Sequence, residues 1–337
     1  MPDPDLRIGT LRIGTFRYDT TQALFDGTAE IPGVPNVAMA TGATLPEVFR
    51  LLLDGEVDVA EFGLTFYLRA LEREADVIAL PVFPNRVFRH SCVFVNRDSG
   101  ISGPADLVGR TIGEFGVYGQ DSGVWAKGIL MDEYGFRPEE NRWVIGGLDT
   151  PAPPFGFVPQ VWPEGIDISA APEGRALGPM LDSGELDVLF TANVPQTVLD
   201  GSPHVTRLFP DFEIRERDYY RRTGIFPMMH TVVVRRDLLT RHPWLARAVY
   251  EGFLAAKEAG ARRYRQGRRL YEAPFMVPWL NALYEENAEL MTEDWWPYGV
   301  AANRTALDTL LRYHHEQGLT AHRWTIEEIF TPDLLET

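Results

Sequence analysis

From Leu11 onward, short apolar runs alternate with segments of helical period, and this rhythm breaks off once and then restarts. A pentapeptide, LRIGT, occurs in tandem at 6–10 and 11–15. The second copy is the better first strand, because Phe16 and a turn follow it directly. Residues 1–10 then form a tail or an added edge strand. Val34–Met39, Val57–Phe62 and Val77–Pro81 read as further strands, with helices over Leu45–Asp54 and Leu64–Glu74 between them. Such a rhythm calls for a largely parallel sheet with helices on both faces. After Val95 the pattern begins again, with a helical turn at Asp106–Val108, strands at Thr111–Phe115, Trp143–Ile145 and Leu186–Thr191, and helices at Ser122–Tyr134 and Ala176–Gly184. Residues 150–174 are rich in Pro and Gly and lack a period, which reads as a long loop or flap. His230–Arg236 is one more strand. Beyond it the chain is nearly all helix: Trp244–Tyr264 is the longest, followed by Asn281–Met291, Asn303–His314 and Ile326–Phe330.

This order predicts an α/β protein of two lobes, for which 337 residues are enough. The first lobe would be discontinuous, residues 11–95 plus 229–337 with a helical C-terminal return. The second, 96–228, would be inserted between crossing segments near 87–95 and 229–235, and residues 1–10 would be an extension. A ligand cleft is expected between the lobes.

The segment ALPVFPNRVFRHSCVFVN, Ala79 to Asn96, places Arg86, Arg89, His90 and Ser91 where one strand ends and the next begins. Arginine grips planar carboxylates through paired hydrogen bonds, so two arginines here suggest an acidic organic ligand. The other reading is that both pair with surface carboxylates. The net charge is −16, from 48 acidic and 32 basic side chains, which disfavours nucleic acid as a partner. It also means that a small anion needs a local cationic pocket.

Three more clusters stand out. GEFGVYGQDSG, Gly113 to Gly123, follows a strand and opens a helix. It is either a turn aiming N–H groups at an anion, with Tyr118, Ser122 and Trp125 as contacts, or a flexible connector. Asp121 or Ser122 can cap that helix. TGIFPMMH puts His230 at the start of a strand, where histidine suits acid–base work unless it is structural. FRYD puts Arg17 and Asp19 at the carboxyl end of the first strand, the ligand edge of open α/β sheets, and Glu61 ends a strand on that same edge. Asp19 and Glu61 can orient ligand hydroxyls or tune a histidine, or else cap helices. Asn193, after Leu186–Thr191, joins the binding set.

Other chemistries find no footing in the sequence. The single cysteine, Cys92, lies in an apolar run and reads as a small buried hydrophobe. No intrachain disulfide can form, which fits a reducing compartment. The N-terminus shows neither the basic nor the apolar region of a signal peptide, and no run approaches the roughly 20 apolar residues of a membrane span, so a cytoplasmic location is expected. There is no HExxH or paired-Cys motif, and the adjacent His314 and His315 cannot face the same way on a helix. No dinucleotide fingerprint, Walker loop or G-x-S-x-G elbow is present. WWPYG at 295–299 reads as packing at a helix end. Neither metal nor cofactor is expected, and homo-oligomerisation is left open.

Longer stretches carry a resemblance. YDTTQALFDG at 18–27, VDVAEFGLTFYL at 57–68, PVFPNRVFRHSCVFVN at 81–96 and DLVGRTIGEF at 106–115 resemble the 4,5-dihydroxyphthalate decarboxylase family. So do VWAKGIL at 124–130, RLFPD at 207–211, YYRRTGIFPMMH at 219–230, HPWLARAVYEGFLAAK at 242–257 and WWPYGVAANR at 295–304. The similarity runs from Leu11 to Phe330 and implies a fold like the type II periplasmic binding proteins. It implies loss of CO2 from a hydroxylated aromatic diacid such as 4,5-dihydroxyphthalate, giving 3,4-dihydroxybenzoate without a cofactor. A ring hydroxyl para to the carboxylate supplies the electron density, so the site needs a carboxylate clamp, a base for the phenol and an acid for the ring carbon. Arg86 and Arg89 would be the clamp, and His90 and His230 would share the acid and base roles in unassigned order. The alternative is a non-catalytic binding protein for an aromatic carboxylate, since this fold commonly carries solutes.

Overall fold

The computed structural model describes residues 9–270 and 276–337. Residues 1–8, and with them most of the first LRIGT copy and the expected N-terminal extension, lie outside the described residues. Two mixed sheets form the frame. The first contains β1 (Leu11–Gly14), β2 (Val37–Ala40), β3 (Val59–Gly63) and β4 (Val77–Leu80). The second contains β5 (Val93–Asn96), β6 (Thr111–Phe115), β7 (Arg142–Gly146), β8 (Asp167–Ala170), β9 (Val188–Phe190) and β10 (Val205–Arg207). The chain then returns to the first sheet as β11 (His230–Arg235), giving strand orders β2-β1-β3-β11-β4 and β10-β5-β9-β6-β7-β8.

Most neighbours run parallel, as the βα rhythm requires, but β11 is antiparallel to both β3 and β4, and β5 is antiparallel to both β9 and β10. These are the strands entered directly after each crossing between sheets. The crossing segments hydrogen-bond to each other: Met229 N–H donates to Asn85 O (2.9 Å) and Val87 N–H to Pro227 O (3.1 Å). This contact lies a few residues before the expected 87–95 and 229–235, because Val93–Asn96 and His230–Arg235 are already committed as strands.

Strand β3, VAEFG, is buried at all five positions, and β11, HTVVVR, packs its β-branched valines beside it. The flap expected over 150–174 contains β8, an edge strand whose DISA sequence is polar and largely exposed. Helix Leu45–Leu53 starts with Glu47 reaching back to the Ala43 and Thr44 N–H groups, a capping box. The longest helix runs over Leu245–Leu270, beyond the expected end at Tyr264. Helix Arg304–Glu316 leaves the first sheet's layer and packs on helix Asp121–Tyr134 of the second, where Arg312 pairs with Asp132 and the Tyr313 ring covers Gly128. The C-terminal return therefore braces both lobes. One apolar core runs through both sheets, with a smaller cluster around Phe94, Leu177 and Leu189.

Candidate active site

Register brings the key pair together. On adjacent antiparallel strands Gly63 faces His230 and Glu61 faces Val232. Side chains alternate along a strand, so Glu61 and His230 project on one face as diagonal neighbours. Both are buried, and His230 Nδ1 lies 2.5 Å from Glu61 Oε1. The turn after β1 supplies Glu61 with three donors: Thr15 Oγ1 (2.6 Å), the Phe16 N–H (3.1 Å) and the Tyr18 hydroxyl (3.1 Å). Burial, and then Glu61, push the Tyr18 phenol well above its ordinary range, so it stays a donor. Asn85 donates in turn to the Tyr18 oxygen at 3.3 Å. A carboxylate so placed assigns the N–H to Nδ1 of His230 and leaves Nε2 as the accepting nitrogen. Among the described residues Nε2 has no hydrogen-bond partner.

The arginines part company. Arg86 donates to the carbonyls of Phe226 (3.0 Å) and Pro297 (2.8 Å) and to Asn303 Oδ1. Burial lowers its guanidinium to about 10. Its Nη donors are committed to the fold, so it anchors the crossing to the C-terminal segment and is not a free clamp. Arg89 is also buried, which depresses its guanidinium, but its Nε donates to Met229 Sδ, beside His230. Among the described residues no carboxylate pairs with it. A desolvated cation in this setting is suited to binding a carboxylate.

His90 is not brought to His230. Its ring packs edge-on against Phe209 (5.5 Å between centroids) and Tyr219 (5.4 Å), and burial lowers it to about 4, with Arg215 and Arg222 adding to the effect. The Ser91 N–H donates to Glu216 on the same side. Tyr118 lies in the second lobe's core, its face under the Lys127 ammonium and its ring against Trp143. The Trp125 indole donates to Met228 O at 2.8 Å and so holds the crossing. Asn193 is exposed and touches Thr191 through its backbone. Arg17 is exposed and stacks over Phe25, and exposed Asp19 accepts from Tyr264 at 2.8 Å. Asp19 borders a separate cavity of about 300 Å³ shared with Thr20, Lys257, Tyr284 and Trp295.

Two features of the cleft were not anticipated. Asp121 begins its helix, but its carboxylate does not cap that helix. It crosses the cleft, and Oδ1 accepts the Thr65 N–H at 2.8 Å. Helix Leu64–Leu71 has glycine at its own N-cap and no side-chain cap, so the second lobe caps the first lobe's helix. Ser122, beside it, is buried with its hydroxyl unpartnered. The second feature is a run of rings. The flap is tied to the second lobe by Phe155 N–H on Gly116 O (3.1 Å), and it lays Phe157 on Phe66 (4.8 Å between centroids) and Phe49 (5.6 Å). Phe49 meets the His230 ring edge-on at 5.6 Å. An apolar aromatic cluster thus packs against the histidine. Among the described residues no three or more His, Cys, Asp or Glu are placed to hold a metal, and no helix is long and apolar enough to cross a membrane.

Comparison with known proteins accords with this frame. Residues 19–149 match the family model described as ABC transporter, phosphonate, periplasmic substrate-binding protein. The structure resembles the periplasmic aliphatic sulphonate-binding protein of Escherichia coli (TM-score 0.51, 13% identity, 97% of this chain and 99% of that one). It likewise resembles the alkanesulfonate-binding protein of Xanthomonas axonopodis pv. citri bound to MOPS (TM-score 0.52, 13% identity, 96% and 99%). These show a periplasmic-binding-protein-like fold. A 4,5-dihydroxyphthalate decarboxylase of Comamonas testosteroni is 34% identical over 330 residues, 97% of this chain and 98% of the relative. A second, from Pseudomonas putida, is 32% identical over 63% of this chain and 81% of its own length.

Proposed function

This chain belongs to the 4,5-dihydroxyphthalate decarboxylase family and is a carboxy-lyase, and we propose that Glu61, His230 and Arg89 carry its reaction in the cleft between the sheets. The observation that carries the reading is the buried Glu61–His230 pair beside Arg89, where among the described residues Nε2 is unengaged and the arginine has no carboxylate partner.

The chemistry follows from what each group can do. Direct loss of CO2 would leave an unstabilised aryl carbanion. His230 Nε2 takes the proton from the hydroxyl para to the departing carboxylate, and Glu61 stabilises the resulting imidazolium through Nδ1. Electron density moves to the carboxylated ring carbon, which accepts a proton. The C–CO2 bond then breaks, its electron pair restores the aromatic ring, and the phenol regains its proton from His230. Arg89 holds a substrate carboxylate by paired hydrogen bonds. Phe49, Phe66 and Phe157 form the apolar wall for the ring, excluding water and strengthening the charges within.

The test is incubation with 4,5-dihydroxyphthalate while following CO2 and 3,4-dihydroxybenzoate. Turnover lost in His230→Asn and Glu61→Gln supports the reading. Binding of the diacid with no CO2 released over hours replaces it with a non-catalytic binding protein, as the sulphonate-binding structural relatives are named.

A further inference from the structure

The reaction needs an acid at the ring carbon, and His90, packed between Phe209 and Tyr219, is in no position to supply it. A carboxyl group of the opposite lobe is better placed. Asp121 is buried, comes from the second lobe, and stands over Gly63, the residue directly opposite His230 in the β3–β11 register. One carboxylate oxygen is engaged by the Thr65 N–H, while the other faces Gly63. Phe66, part of the aromatic cluster, touches the same point on Gly63. The carboxyl group therefore lies where the aromatic cluster meets the acid–base pair.

We propose that Asp121 is the general acid that protonates the ring carbon, delivered to the substrate by the lobe opposite the one that carries the base. This rests on the decarboxylase reading above. The Asp121 O–H bond breaks as the ring C–H bond forms, and CO2 leaves with the electron pair of its bond returned to the ring. The carboxylate then regains a proton from water when product departs, so the net reaction consumes one proton per CO2. The groups facing Asp121 are His230 from β11, Arg69 from helix Leu64–Leu71 and Arg89 from the crossing. Burial raises the carboxyl above its usual range, while His230, the Thr65 hydrogen bonds and Arg69 oppose the rise. A carboxyl poised in this way can hold a proton to give, as catalytic acids require. Glu61, by contrast, receives three donors and the imidazole, and so serves the base.

Asp121→Asn separates the acid from the cap, because an amide oxygen can still accept the Thr65 N–H. The expected result with 4,5-dihydroxyphthalate is binding within about threefold of wild type and turnover reduced by about 10²–10⁴-fold. Asp121→Glu is expected to restore part of the rate. In the wild-type protein, kcat should fall as pH rises through the Asp121 ionisation, and this limb should vanish in Asp121→Asn. Turnover of Asp121→Asn within threefold of wild type, or an unchanged alkaline limb, overturns the proposal. The wild-type pH profile alone decides if the variant does not fold: a kcat that holds level or rises above neutrality overturns it. Absence of CO2 from wild-type protein overturns the decarboxylase reading and this inference with it. Activity lost in His230→Asn but kept in Asp121→Asn overturns this inference alone.

Discussion

Gly63 and Asp121 meet across the cleft so closely that a Cβ at position 63 would collide with Oδ2 of the aspartate. The glycine has no left-handed backbone to explain it: its φ is −63°, open to any residue. Its requirement is room for that carboxylate and for the Phe66 ring of the helix it precedes. Gly63→Ala should leave the first sheet folded and hold the lobes apart. The expected result is a larger radius of gyration in solution scattering and a loss of turnover of at least tenfold. An alanine variant as compact and as active as wild type would show that the approach is not needed.

Arg89 should separate binding from stability. Burial of its guanidinium carries a desolvation cost in the empty protein. Arg89→Met keeps the apolar stem, so melting temperature should hold or rise. Diacid binding should weaken by about 2–5 kcal/mol, the usual loss on removing one partner of a desolvated charge pair. Calorimetric titration with 4,5-dihydroxyphthalate measures it, and an unchanged Kd counts against the clamp.

Phe157 is the flap's contact with the first lobe's aromatic residues. Each such ring pair contributes about 0.5–1.5 kcal/mol beyond its buried area. Phe157→Ala should raise KM roughly tenfold with a smaller change in kcat, because the ring's contribution is made to ground state and transition state alike. Steady-state kinetics check this, and a fall in kcat with KM unchanged would assign the ring a different task.

Acid should destabilise the protein through histidines that the reaction does not use. Burial lowers His90 to about 4 and His314 to about 3, whereas in the unfolded chain both titrate near 6.5. Below pH 6.5 the unfolded state therefore binds more protons. Stability present above that pH is lost as pH falls toward 4, by at most about 1.4 kcal/mol per unit for each group. Urea midpoints at pH 7 and pH 5 report the trend. His90→Gln should flatten the difference and keep decarboxylation. Loss of turnover by the order expected of an acid–base group would return His90 to the reaction.

Strands with apolar runs were readable because period and β-branching survive in the sequence, as in VAEFG and HTVVVR. Edge strand β8 was not, since DISA is polar and mostly exposed. Helix Phe212–Thr223 was missed for a similar reason: only Glu216 and Tyr219 are buried along it, so it shows no apolar stripe. Glu61 and His230 were legible as strand-end residues, but their pairing depends on a register that spans 169 positions. Arg86 and Arg89 look equivalent in sequence. What divides them is a carbonyl 211 residues away, at Pro297. His90 sits on a 3₁₀ turn, where no period tells which side it faces. Tyr18 was within the FRYD motif, yet its role emerges only when β1 and β3 lie side by side.

The seat of Tyr313 on Gly128, with the Arg312–Asp132 pair beside it, ties the last long helix to the second lobe, while the chain before it, and again from Ala321 onward, is held by the first. A solute carrier works by capture and surrender, swinging about its two crossings. Here the crossings are spanned by a third strut, so a wide swing must drag that helix along or unseat a ring from a site with no side chain to yield. Such a frame favours retention over delivery.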